Sequence, residues 1–438
     1  MASSCPDPFL AESLFPATGG AVLGRWCENL GNVSCCLPCP SSYWRWRDVE
    51  YLTDEARIEL WPSIFVLILL VWLLVTYAIF PVTVTDRHYL AVSPTIGFTC
   101  ISIAFISPNK GQPKKCYNEI TPNDMANDAR CAFMAVTLFF GAWIVILSCF
   151  FRSIALHLSV FWQIKPGPTY KYVSIGLIYI GSGALVAVTL AITGAEYTFG
   201  RSTYLSPNHA TATFWAPFLA FSSAALLLQI LTIAQCVCLV LRPWYNYQKL
   251  KWSGYTPSAS EERIIGAQQI ATKIRKIIQL QWRASLVTVL ITIYVCFLSA
   301  VFMQLRQFKD YPRPDRLAWF ECLASSKGDK YPCLPLAIPL GPIEPELWAV
   351  VLMLVLSGLL AVAIFFRSSM IRAWISLLKG ETRPLTPVHQ LSDMTDPPRP
   401  ESEQDEEIAT PSGRITYEDL YDSNSLMKSQ TVPYHHVN

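Results

Sequence analysis

Apolar residues in this chain run together rather than alternating with polar ones. Seven stretches, Trp61–Val82, Tyr89–Ile106, Ala132–Phe151, Tyr172–Thr193, Phe214–Leu241, Ala284–Met303 and Leu347–Phe366, are dominated by Leu, Ile, Val, Phe and Ala. A helix of about 20 apolar residues spans the hydrocarbon core of a bilayer, so each stretch predicts a transmembrane helix. In lipid every backbone N–H and C=O needs an internal partner, and runs of this length meet that need as helices. The predicted fold is all-α, a seven-transmembrane helix bundle over residues 61–366. An odd number of spans sends the two ends of the chain to opposite sides of the membrane.

Composition supports the pattern. Of 438 residues 52% are hydrophobic and 15% charged, against about 25% charged in soluble domains. The formal net charge of +2 and the lack of a long basic run give no pull toward nucleic acid. Residues 9–23 are broken by Glu12, Pro16 and a Gly-Gly pair, so no secretory apolar region forms and the first helix is expected to act as a signal anchor.

Three features orient the bundle. The connection Arg242–Arg283 carries eight Lys and Arg and the tail beyond Phe366 seven, while the N-terminal arm has four against eight acidic residues. Positive charge favours the cytoplasm, which predicts the N-terminus outside and the C-terminus cytoplasmic. Nine of the 14 cysteines (Cys5, Cys27, Cys35, Cys36, Cys39, Cys116, Cys131, Cys322, Cys333) fall on the predicted outer side and none in a predicted inner loop, as disulfide chemistry requires. The Asn32-Val33-Ser34 sequon lies on the same side and makes Asn32 the candidate glycosylation site.

The chain divides into an outer cysteine-containing arm (1–60), the bundle (61–366), a juxtamembrane segment (367–384) and a tail (385–438). In the inner connection before helix six, Ser258-Ala259-Ser260-Glu261 has capping-box spacing and six isoleucines follow near a helical period, with Lys273, Arg275, Lys276 and Arg283 among them. This reads either as a solvated extension of helix six or as a surface for an intracellular partner. Arg367 to Lys379 mixes apolar residues with cations, as in a helix lying along a membrane surface. The Pro-, Ser- and acid-rich tail is expected to be disordered. There, Ser402 in acidic context and Tyr417-Glu418-Asp419-Leu420 read as a phosphorylation site and a sorting signal, or as plain solvating sequence.

The outer cysteines point to disulfides. Cys35, Cys36 and Cys39 have the spacing of half a zinc site, but no second cluster completes it. Cys322 and Cys333 share one loop and are expected to pair. Cys116 and Cys131 could pair with each other or tie down the Cys35–Cys39 segment. Nine is odd, so at least one outer cysteine is unpaired, with Cys5 the expectation.

The seven stretches contain no Asp, Glu, Lys, Arg or His. Ion-coupled transport and intramembrane hydrolysis need ionisable groups at membrane depth, so their absence counts against both. No hydrolase, zinc-protease or phosphate-loop motif appears, and no cofactor is implied. An enzyme is not expected.

Cys131 followed by Trp143-Ile144-Val145-Ile146-Leu147-Ser148 resembles the third helix of Frizzled/Smoothened-type seven-helix receptors. Asp86-Arg87-His88 before helix two, Arg283 at the start of helix six and the Cys322/Cys333 loop are similar too. Cys35-Cys36-Leu37-Pro38-Cys39-Pro40 looks like the linker of truncated fungal and amoebal members, which lack the cysteine-rich ligand domain. The resemblance implies a cell-surface receptor at the plasma membrane that couples to heterotrimeric G proteins by movement of helices six and seven. It also implies a cation–aromatic contact, Arg283 with Phe365 or Phe366, holding the inactive state; simple snorkelling of Arg283 is the alternative. Two departures stand out. The second outer loop (194–213) lacks a cysteine, and the K-T-x-x-x-W motif reads Ser369-Met370-Ile371-Arg372-Ala373-Trp374, keeping only Trp374. The ligand is not identified, and a pocket between the 194–213 and 304–346 loops is where it is expected. A transporter or channel is the alternative function, and a membrane scaffold acting through its tail a third.

Overall fold

The computed structural model describes residues 5–47, 49–85, 89–107, 114–162, 164, 166–199, 202–252, 286, 288–304 and 307–379. Arg283, Lys273, Arg275, Lys276, the Asp86-Arg87-His88 motif and the tail 385–438 lie outside them. Among the described residues six helices are long and apolar enough to cross a membrane. These are α2 (Val49–Ile79), α4 (Tyr89–Ile106), α5 (Ala129–Phe161), α6 (Pro168–Thr193), α7 (Ala216–Trp252) and α11 (Glu344–Phe365). The sixth apolar run is described only as the shorter α8 (Thr288–Met303).

Helix ends differ from the expected ones for local reasons. α2 stops at Ile79 rather than Val82 because Pro81 lacks an N–H, and the short α3 (Val82–Thr85) restarts after it. α5 begins earlier, where the Asp128 side chain accepts the Arg130 N–H at 2.9 Å. It also continues ten residues past Phe151, so Arg152 and His157 belong to a spanning helix that the sequence pattern left free of charge. α6 starts on Pro168, whose missing N–H costs nothing at a first turn.

The bundle is apolar on its outer surface as well as in its core. On α2, Val66, Leu70, Leu73 and Tyr77 are buried, while Trp61, Phe65, Ile68, Val71, Val75 and Ile79 form an exposed apolar stripe. That stripe suits lipid. Between helices, small residues set the approach. A Cβ on Gly141 would lie 2.5 Å from the Gly97 carbonyl oxygen, and one on Gly97 would lie 2.7 Å from that of Gly141. Here α4 and α5 pack backbone on backbone. Hydroxyls join other pairs: Ser174 donates to Tyr89 (2.9 Å), Tyr179 to Ser93 (3.2 Å) and Ser222 to Thr292 (3.3 Å).

One end of the bundle is capped. The arm forms a three-stranded antiparallel sheet in the order β1 (Leu10–Ala11), β3 (Val33–Cys36), β2 (Cys27–Leu30). Successive strand residues face opposite ways, so the adjacent Cys35 and Cys36 cannot share a partner. Cys35 pairs with Cys5, and Cys36 with Cys27, which stands opposite it in the ladder. Cys39–Cys116 ties the arm to the α4–α5 loop, closing a span of 77 residues, a constraint worth on the order of 4 kcal/mol by loop entropy. Cys322–Cys333 ties α9 (Arg313–Ser325) to the residue just before the short α10 (Leu334–Ala337). Phe9 stacks on Phe320 at 4.6 Å and Trp26 on Phe308 at 4.7 Å, so the arm and the segment before α11 share one core.

Cys131, expected in a disulfide, is a buried thiol at the head of α5 whose Sγ contacts the Ala195 carbonyl at 3.6 Å. Of the nine cysteines expected on the outer side, the unpaired one is therefore Cys131 and not Cys5. Cys35, Cys36 and Cys39, which have the spacing of half a zinc site, are all in disulfides as expected, and the Glu12, Cys27 and Cys36 cluster offers no thiolates because its two sulfurs are bonded to each other.

Two outcomes test this arrangement. Gly141→Ala should destabilise by about 1–3 kcal/mol because the backbones must part, whereas Gly176→Ala, with nothing near its Cβ, should be neutral or slightly stabilising; melting of the detergent-purified protein reads both. Denatured without reductant, the protein should take six maleimides, at Cys100, Cys131, Cys149, Cys236, Cys238 and Cys296, rising to 14 after reduction.

Candidate functional site

Two cavities lie at the capped end, with Pro207 lining both. The hairpin of β4 (Ala195–Phe199) and β5 (Ser202–Leu205) contributes to each: Tyr204 and Leu205 face the first, Glu196 and Tyr197 the second.

The first cavity is apolar, with about 620 Å³ of empty space including its open mouth, and is walled by residues of α4, α5, α7, α8 and α11. A π turn at Thr211–Trp215 opens α7. Such turns often mark functional positions, and this one places Phe214 and Trp215 in the wall. Hydroxyls anchor it to α6: Thr193 and Thr213 share a hydrogen bond of 2.6 Å, and Thr189 donates to the Thr213 carbonyl at 3.2 Å. The wall is a continuous aromatic stack. Tyr204 lies 5.4 Å from Phe302, Phe302 stacks on Trp215 at 5.1 Å, and Phe214 stacks on Phe218 at 4.9 Å. Trp143, fully buried beneath, meets Phe214 and Phe218 edge-on.

The second cavity is more polar and is built from the arm, the hairpin and the segment before α9. It holds two buried charges of opposite sign, Arg45 and Glu196. Arg45 ends α1 (Ser41–Arg45) and lies between Trp26 and Trp46, 5.3 and 5.5 Å from their ring centres. Its Nη2 donates to the Pro342 carbonyl at 3.3 Å, while Nε has no partner. Burial lowers the guanidinium to about 10, against a raising influence of Tyr311, and it stays cationic at neutral pH. Glu196 has a free Oε2. Burial, then the negative charge of Asp124, raise its carboxyl to about 7, opposed by a hydrogen bond from Ser206. Other buried charges of the cap are matched. Arg25 faces Glu12 and donates to Thr121, Arg316 pairs with Glu28, and Lys330 donates to the carbonyls of Tyr43 and Trp46.

The sequence-predicted residues fall at both ends. Asn32 is exposed in the β2–β3 turn beside Gly31 (φ +73°). At the far end Phe365 lies 6.0 Å from a cation, but that cation is Arg152 of α5. Phe366 lies 6.0 Å from Trp72. Trp374, on α12 (Ser368–Leu378), donates to Thr76 at 2.9 Å and meets Phe80 edge-on, docking α12 on the end of α2. The expected loops do bound the second cavity, through Glu196 and Pro207 on one side and Phe308 and Tyr311 on the other. The arm's part in it was missed. Its signal was Trp44-Arg45-Trp46, a cation between tryptophans in an acidic arm.

Glu196 gives a pH test. A raised carboxyl is stabilising in its protonated form, so its contribution is complete below the ordinary carboxylate range and is lost as pH rises through about 7. Melting temperature should fall from pH 5 to pH 8, and Glu196→Gln should flatten that part of the curve, an effect of at most about 3 kcal/mol.

No family model matches the chain. It is similar to a protein described as G protein-coupled receptor gprM from Aspergillus fumigatus, at 36% identity over 384 residues that cover 86% of this chain and 77% of that one.

Proposed function

The chain belongs to the G protein-coupled receptor family, and from that premise we propose that it is a plasma-membrane receptor passing an outer signal to a heterotrimeric G protein. Identity to gprM across 86% of the chain carries this reading. It takes the bundle as seven-helical, with α8 completing the set, the capped end outside and the C-terminus in the cytoplasm. The four disulfides and the sequon at Asn32, all at the capped end, support that orientation. Asn32 is then the glycan acceptor, and the two cavities are open to ligands.

At the cytoplasmic end the transducer meets Lys273, Arg275, Lys276 and Arg283, and movement of α8 and α11 exposes them. α12 lies on the inner membrane surface with Ile371, Ile375, Leu377 and Leu378, all exposed, toward lipid. The resting state is held at Phe365. Arg152 supplies a cation at its ring, in place of or together with Arg283. The Cys322–Cys333 loop and Trp374 support placing the chain near the Frizzled/Smoothened type.

The test is proximity coupling of the expressed receptor to a panel of G-protein α subunits. A cation–π contact is worth about 0.5–2 kcal/mol, so Arg152→Ala or Arg283→Ala should raise basal coupling by roughly two- to thirtyfold if that residue holds the rest state. Folded protein at the cell surface that couples to no subunit would overturn the G-protein reading.

A further inference from the structure

The second cavity contains a mismatch that the fold does not resolve by itself. Arg45 and Glu196 are 8% and 5% exposed, and both line the same space. Among the described residues no ion pair joins them, and Arg45 has no carboxylate partner. Each keeps one atom without a hydrogen bond, Nε on Arg45 and Oε2 on Glu196. A buried polar atom left without a partner costs free energy, and each such atom in a folded protein calls for an explanation. The neighbouring cations Arg25, Arg316 and Lys330 are all satisfied within the cap, so the exception is local.

We propose that this cavity binds a small zwitterion, a molecule with a carboxylate and an ammonium group on a compact apolar body, as in an α-amino acid. The carboxylate meets the guanidinium of Arg45, which offers Nε–H in the planar geometry suited to it. The ammonium donates to Glu196 Oε2. Trp26, Phe308 and Tyr311 enclose the apolar body. A ligand with one charged end would satisfy one orphan and leave the other, and a wholly apolar ligand would leave both. Gly24 packs directly against the carboxyl, so that a Cβ there would lie 2.7 Å from Glu196 Oε2.

This inference rests on the receptor reading for its significance, but its test is separate. The full chain in lipid nanodiscs is titrated with the proteinogenic L-amino acids, each beside its N-acetyl derivative, which lacks the ammonium, and its decarboxylated amine. Saturation-transfer NMR reads binding. At least one amino acid should bind about tenfold or more tightly than both of its single-ended derivatives, since a site built to pair a polar group rejects analogues that lack it. Arg45→Gln should erase the preference over the amine, and Glu196→Gln the preference over the N-acetyl form. Gly24→Ala, which crowds Oε2 and keeps both charges, should weaken the zwitterion by a similar factor and serves if a charge variant does not fold. Absence of binding by every amino acid, or binding that these variants leave unchanged, overturns the proposal. Basal G-protein coupling, measured on the same preparations, separates the two readings: coupling without zwitterion binding sinks this inference alone, and zwitterion binding without coupling sinks the G-protein reading alone.

Discussion

The close approach of α4 and α5 at Gly97 and Gly141 is the constraint from which the rest of the arrangement follows. In lipid, apolar side chains gain little by leaving their solvent, so helices associate through close packing and interhelical hydrogen bonds. The mutual backbone contact fixes the position and rotation of α5. That helix reaches both ends of the molecule. Its head places Cys131 under the hairpin, its middle places Trp143 against the aromatic wall, and its foot places Arg152 beside Phe365. An error in the crossing would be carried to all three.

The capped end follows different rules. It is held by four disulfides and by an aromatic core in which Phe9, Trp319, Phe320 and Leu323 are buried. An arm with strands of two and four residues could not order itself by hydrogen bonding alone. The cross-links let it present a rigid wall to the cavities.

Much of the architecture was legible because apolar length is a strong signal: the runs at Tyr89–Ile106 and Tyr172–Thr193 lie within α4 and α6 with their C-terminal ends unchanged. What hydropathy could not show was where a helix continues once charge returns, as at Arg152, or where proline stops one, as at Pro81. Cysteine pairing needed the register of a three-stranded sheet, which the spacing of Cys35 and Cys36 does not disclose. Arg45 and Glu196 are far apart in sequence, and their place in one cavity depends on the α1 and hairpin placements together. The short Trp44-Arg45-Trp46 run was a visible trace of the Arg45 half alone.

The hairpin gives the two cavities a physical connection. Glu196 and Tyr204 are direct partners across β4 and β5. Glu196 faces the polar cavity, and the ring of Tyr204 meets Phe302 of α8, which stacks on Trp215 in the π turn of α7. The hairpin is thus linked to α7 and α8 through three rings, and to α5 through Cys131 and Met134. A ligand can exploit this path only to the extent that it binds two arrangements of the hairpin with different affinity. The hairpin carries no disulfide of its own, but its first strand is held to the α4–α5 loop by the Met125 N–H on the Ala195 carbonyl and the Tyr197 N–H on the Asn123 carbonyl, so contacts made to Glu196 bear on the cross-linked cap as well as on the rings.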